Sequence, residues 1–64
     1  MNKRTEIQES DTGHILEVIY NEIKEVKVGQ KLKYSHGEYK VIEYENHYEP
    51  GNNLIRNILV EKIK

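Results

Sequence analysis

Hydrophobic and polar residues alternate along most of this chain with a period of two, and turn-forming residues separate the alternating stretches. Alternation places every second side chain on one face of an extended backbone, so it predicts half-buried β-strands. Thr5–Glu9 is the first. It is closed by Ser10-Asp11-Thr12-Gly13, residues that favour turns through side-chain hydrogen bonds and glycine's access to positive φ. His14–Tyr20 reads two ways. Ile15, Ile19 and Ile23, with Leu16 and Tyr20 beside them, fit a helix over 14–24 capped by Asp11 or Thr12, whereas the density of β-branched residues favours a strand. The strand is the preferred reading and the short helix its alternative.

Beyond Gly29, Leu32 and Tyr34 alternate with Lys31, Lys33 and Ser35, as in a strand with one wet face. His36-Gly37 suits a two-residue hairpin turn, since glycine takes positive φ freely and histidine is among the residues enriched there. The return strand runs from Glu38 to about Tyr48. Strict alternation puts Tyr39 and Val41 on one face but Ile42, Tyr44 and Tyr48 on the other, so the apolar face switches near Val41 and predicts a bulge or a strong bend. Glu49-Pro50-Gly51-Asn52-Asn53 is the clearest break, with Pro50-Gly51 suited to the centre of a type II turn. The last strand, Leu54 to Ile63, carries Leu54, Ile58 and Val60 on one face and Ile55, Leu59 and Ile63 on the other. Apolar residues on both faces mark a central strand or one bending around a barrel.

Composition supports the strands: the chain has no alanine, while isoleucine and valine supply 13 of 64 residues. The expected fold is all-β, a single domain over 1–64 with residues 1–4 as a loose tail. It is a small barrel or curled sheet of four or five antiparallel strands, because switched and two-sided faces suit a closed or half-closed sheet better than a flat one. A domain of this size buries only about 60% of its unfolded surface. The absence of cysteine excludes disulfides and thiolate zinc sites as reinforcement and fits a reducing, cytoplasmic location. No stretch is apolar enough for a membrane span. With 10 Lys and Arg against 11 Asp and Glu there is no bulk positive field of the kind that marks many nucleic-acid binders. The abundance of Lys, Ile, Asn, Glu and Tyr fits coding in AT-rich DNA, as in a low-GC bacterium or its phage.

Val28-Gly29-Gln30-Lys31-Leu32-Lys33-Tyr34, followed by Gly37-Glu38-Tyr39-Lys40-Val41-Ile42, resembles the strand-turn-strand entry of SH3-like small barrels. There a Val-Gly-polar step leads into a hairpin whose return strand has an aromatic-x-Val core signature. The resemblance covers residues 26–49 and implies a fold without assigning site residues, since this fold serves many functions. The lack of tryptophan and of an acidic-aromatic loop speaks against a proline-peptide-binding SH3 domain.

Three groups of residues could carry chemistry. Glu43, Glu45, His47 and Glu49 share one face of the long return strand. Imidazole with carboxylates could ligate a metal, but alternate residues of a straight strand lie too far apart to converge, so no metal or other cofactor is expected. A row of carboxylates also serves as a surface for a basic partner or as a mimic of nucleic-acid phosphate. Tyr20, Tyr34, Tyr39, Tyr44 and Tyr48 are the only aromatic residues. They suit a thin core whose hydroxyls reach water, or an exposed patch of the kind enriched in interfaces. Lys31, Lys33 and Lys40 could contact phosphates while Tyr34 stacks on a base, although Lys31 and Lys33 lie on the face opposite Tyr34. His14, His36 and His47 are scattered. The candidate nucleophiles Ser10, Ser35, Thr5 and Thr12 stand in no nucleophile-elbow motif, and Gly13, Gly29, Gly37 and Gly51 form no phosphate loop.

These features predict a non-enzymatic module that binds another protein through Glu43, Tyr44, Glu45, His47, Tyr48 and Glu49. A phage or mobile-element accessory role, occluding a partner, would suit it. The alternatives are a single-stranded nucleic-acid binder using Lys31, Lys33, Lys40 and Tyr34, and a homo-oligomer built through an unpaired strand edge.

Overall fold

The computed structural model describes residues 2–63, and every regular element among them is a strand. β1 (Lys3–Glu9), β2 (Ile15–Tyr20), β3 (Lys31–Tyr34), β4 (Gly37–Glu49) and β5 (Asn53–Lys62) form one sheet in the order β2-β1-β5-β4-β3. The two-faced last strand is central, one of the two placements its pattern allows.

Three of the pairings are antiparallel, but β1 and β5 run parallel. The sheet is therefore mixed, which corrects the wholly antiparallel arrangement expected from the sequence. The cause is the path of residues 21–30. They carry the chain from β2 at one edge to β3 at the other, and the β3-β4-β5 meander then brings β5 back beside β1 in the same direction.

That connection crosses the concave face of the sheet and is fastened at each step. The Thr5 hydroxyl donates to the Glu22 carbonyl at 2.8 Å and accepts from the Lys24 amide at 2.9 Å. Val26 inserts into the core, and Val41 exchanges backbone hydrogen bonds with Gly29 and Gln30 at 2.7 and 2.8 Å. The Tyr34 hydroxyl donates to Glu17 at 3.0 Å, tying edge strand β3 to edge strand β2. These contacts curl the sheet into a half-barrel around Ile7, Val26, Tyr39, Val41, Ile58 and Val60, with Leu16, Ile19, Leu32 and Tyr34 packed against them. Each fully buried aliphatic side chain contributes roughly 1.5–3 kcal/mol relative to an exposed one, so a core this small depends on the crossing segment as its cover.

The helix considered for 14–24 does not form. Asn21 stands at φ 65°, a left-handed conformation that ends β2 and cannot be continued by a right-handed helix. The loose tail expected over 1–4 is also shorter, because Lys3 and Arg4 belong to β1, Arg4 pairing with both Tyr20 and Ile55. Met1 lies outside the described residues. The β3–β4 turn is Ser35-His36 rather than His36-Gly37, since Gly37 already pairs with Tyr34. His36 stacks on Tyr34 and meets Tyr39 edge-on, centroids 5.5 and 5.8 Å apart, and this aromatic contact sets the turn one residue earlier.

Two sequence signals match the structure closely. Gly51 adopts φ 89°, as the third residue of a type II turn requires, with Asn52 left-handed after it at φ 61°. The switch of face near Val41 is a β-bulge: Val41 pairs with Val60 and Glu43 with Leu59, leaving Ile42 as the extra residue.

Candidate functional site

β4 is 13 residues long and β3 only 4. β3 covers β4 over Gly37–Lys40, and Gly29 and Gln30 take up Val41. From Ile42 onward β4 has a strand partner, β5, on one side only. All seven residues from Glu43 to Glu49 are exposed.

The bulge decides which side chains share a face here. By adding one residue at Ile42 it returns Tyr44, Asn46 and Tyr48 to the concave side together with Tyr39 and Val41, and turns Glu43, Glu45, His47 and Glu49 to the outer side. The six expected binding residues therefore stand on one strand but on its two faces: a row of carboxylates with one imidazole outside, and two tyrosines inside.

On the outer face the register places His47 next to Ile55, which is only 1% exposed although it lies outside the main core. On the other side of Ile55 is Arg4, whose Nε donates to Glu6 at 2.8 Å and whose Nη2 lies 3.6 Å from Glu49. Glu49 is thus partly neutralised, whereas among the described residues Glu43 and Glu45 form no ion pair. No three His, Asp or Glu side chains among the described residues converge as metal ligands.

On the concave face Arg56 organises the tyrosines. Its guanidinium lies 4.9 Å from the Tyr44 ring centroid, its Nε donates to Asn46 Oδ1 at 2.9 Å, and its Nη1 donates to the Lys24 carbonyl at 3.0 Å. One arginine thereby links the crossing segment to the exposed half of β4. Tyr44 is held at 42% exposure, and Tyr48 stands free at 67%. Sequence reasoning missed Arg56, although it is the one charged residue between Leu54 and Val60.

Lys31, Lys33 and Lys40 also gather on the outer face, at the opposite end of β4. Lys31 faces Lys40, Lys33 faces Glu38, and Lys40 faces Glu61, so acidic neighbours dilute the cluster. Tyr34 lies on the other face. Its ring is engaged by His36 and Tyr39, and burial together with the hydrogen bond to Glu17 raises its phenol pKa well above the ordinary value. It presents no free ring to a base beside the lysines.

An open groove of about 330 Å³ at the far end of the sheet runs between Lys3, Arg4, Tyr20, Asn21 and Asn53. Asn53 Oδ1 is buried there without a hydrogen-bond partner among the described residues. No sequence signal marked it, because its walls come from the ends of three strands.

No family model matches this chain, and comparison with curated proteins and with solved structures finds no match either.

Proposed function

We propose that this protein is a non-enzymatic binding module whose partner is another protein, engaged through the exposed half of β4. The observation that carries this reading is that β4 runs on past its neighbour β3 and exposes every residue from Glu43 to Glu49. Within that run Glu43 and Glu45 form no ion pair among the described residues, and two tyrosines offer apolar area with a polar tip. Desolvating carboxylates is costly unless a partner supplies cations, so the surface suits a partner bearing lysines or arginines. The SH3-like likeness of residues 26–49 agrees with such a role and adds no residue to it.

Capture of partners from a cytosolic lysate, with and without nuclease, compares the wild type with Glu43→Lys/Glu45→Lys. A discrete protein that survives nuclease and is lost with the double variant is the expected result. Retention by the variant overturns the surface, and recovery of nucleic acid that depends on Lys31, Lys33 and Lys40 overturns the function.

A further inference from the structure

Resting on that reading, we infer that the outer edge of β4 between Tyr44 and Tyr48 accepts an extended strand of its partner, one that alternates basic and apolar residues. The backbone argues for it first. On β5, the Leu54 amide donates to Asn2 and the Val60 carbonyl accepts from Ser10, so residues 54, 56, 58 and 60 direct their peptide groups toward β1. Their partners on β4, Tyr48, Asn46, Tyr44 and Val41, therefore direct theirs away from β5. Val41 spends its groups on Gly29 and Gln30. Tyr44, Asn46 and Tyr48 each present one N–H and one C=O along an open edge, over about 14 Å of strand. The opposite edge of the sheet, β2, is bridged to β3 by the side-chain hydrogen bond between Tyr34 and Glu17.

The side chains select the occupant. A strand on this edge sets alternate residues beside Glu43, Glu45 and Glu49 on the outer face and the intervening ones beside Tyr44 and Tyr48 on the concave face. Cations on the first set and apolar groups on the second complement both faces.

A second copy of this edge fits poorly. Antiparallel self-pairing about Asn46 sets Glu43 against the copy's Glu49, pairing about Glu45 sets Glu45 against its own copy, and pairing about His47 sets Glu45 against Glu49. Each register opposes like charges. The chain itself carries the complementary pattern on this strand. β3, Lys31-Leu32-Lys33-Tyr34, adds to the same edge of β4 with its lysines on the outer face and Leu32 and Tyr34 on the concave face, and stops where the exposed run begins.

The test uses the full chain and three capped synthetic heptapeptides: one alternating lysine with valine and tyrosine, one with glutamate in place of lysine, and one lysine peptide N-methylated at every residue to remove the donors of both edges. The lysine peptide is expected to bind and to slow amide exchange at Tyr44, Asn46 and Tyr48, followed by NMR. Both other peptides, and the lysine peptide on Glu43→Lys/Glu45→Lys, are expected to bind at least tenfold more weakly. Equal binding of the N-methylated peptide, or binding without amide protection, overturns strand addition while leaving a side-chain docking surface intact. Failure of the lysine peptide overturns the assigned chemistry, and lysate capture through Glu43 and Glu45 still decides the broader function. Protection of the same amides on raising the concentration of protein alone, with a dimer mass in light scattering, overturns the inference in favour of a second copy.

Discussion

Thr5 shows how much one small side chain does in a thin fold. Its hydroxyl is fully buried and uses both of its roles, donor to Glu22 and acceptor from Lys24, so it anchors the segment that roofs the core. Thr5→Val keeps the shape but leaves two backbone groups unpaired, and should cost about 1–3 kcal/mol in denaturant unfolding with faster exchange of the Lys24 amide. Ile58→Ala, at a site with no exposure between β1 and β4, should cost about 2–5 kcal/mol. Val28→Ala, on the exposed side of the crossing segment, should stay within about 0.5 kcal/mol. The sequence marks Ile58 as core by its alternation. It lists Thr5 only among hydroxyls, because the partners 17 and 19 residues away exist only once the segment has crossed the sheet.

At the scale of elements, the short β3 and the seam it makes with β2 govern both closure and the exposed site. Tyr34 lies where the two edges meet, and its raised pKa, caused first by burial and then by Glu17, means that the folded state holds the phenol proton more tightly than the unfolded chain. This contribution is complete below the unfolded phenol pKa near 10 and is lost as pH rises from there through the higher folded value. Tyr34→Phe should therefore be less stable than wild type at neutral pH, and the gap should narrow in denaturant titrations above about pH 10. The bulge at Ile42 belongs to this scale as well. Deleting Ile42 should remove the bulge yet leave the register of Glu43–Glu49 on β5, and with it both faces of the exposed half of β4, unchanged.

Across the whole molecule, the longest dimension is 38 Å, about the length of β4, and the outer face of that strand is unevenly charged, with Glu38 and Glu61 among its lysines and Arg4 beside Glu49. Lysines 31, 33 and 40 occupy one end, and Glu43, Glu45 and Glu49 the other. Association with a basic partner should weaken several-fold between 0.05 and about 0.5 M salt, as screening shortens the reach of the exposed Glu43 and Glu45 carboxylates. In the free protein the amides of Tyr44, Asn46 and Tyr48 should exchange faster than those of Glu45 and His47, whose peptide groups face β5. Uniform protection along β4 would show that its edge is already covered.

The sequence by itself determined the local properties: the strands other than β2, the Pro50-Gly51 turn, the interruption at Val41, the two apolar faces of β5 and the row of carboxylates. All of these follow from the period of the side chains or from the φ preferences of single residues, which act over a few positions. Only the tertiary structure decided that β1 and β5 run parallel, that residues 21–30 cover the core, that Arg56 clamps Tyr44, and that β4 outruns its neighbour. Those outcomes depend on which distant segments become neighbours, and in this chain that choice rests on long-range contacts such as Thr5 to Lys24 and Tyr34 to Glu17, which leave no periodic trace in the residues that make them.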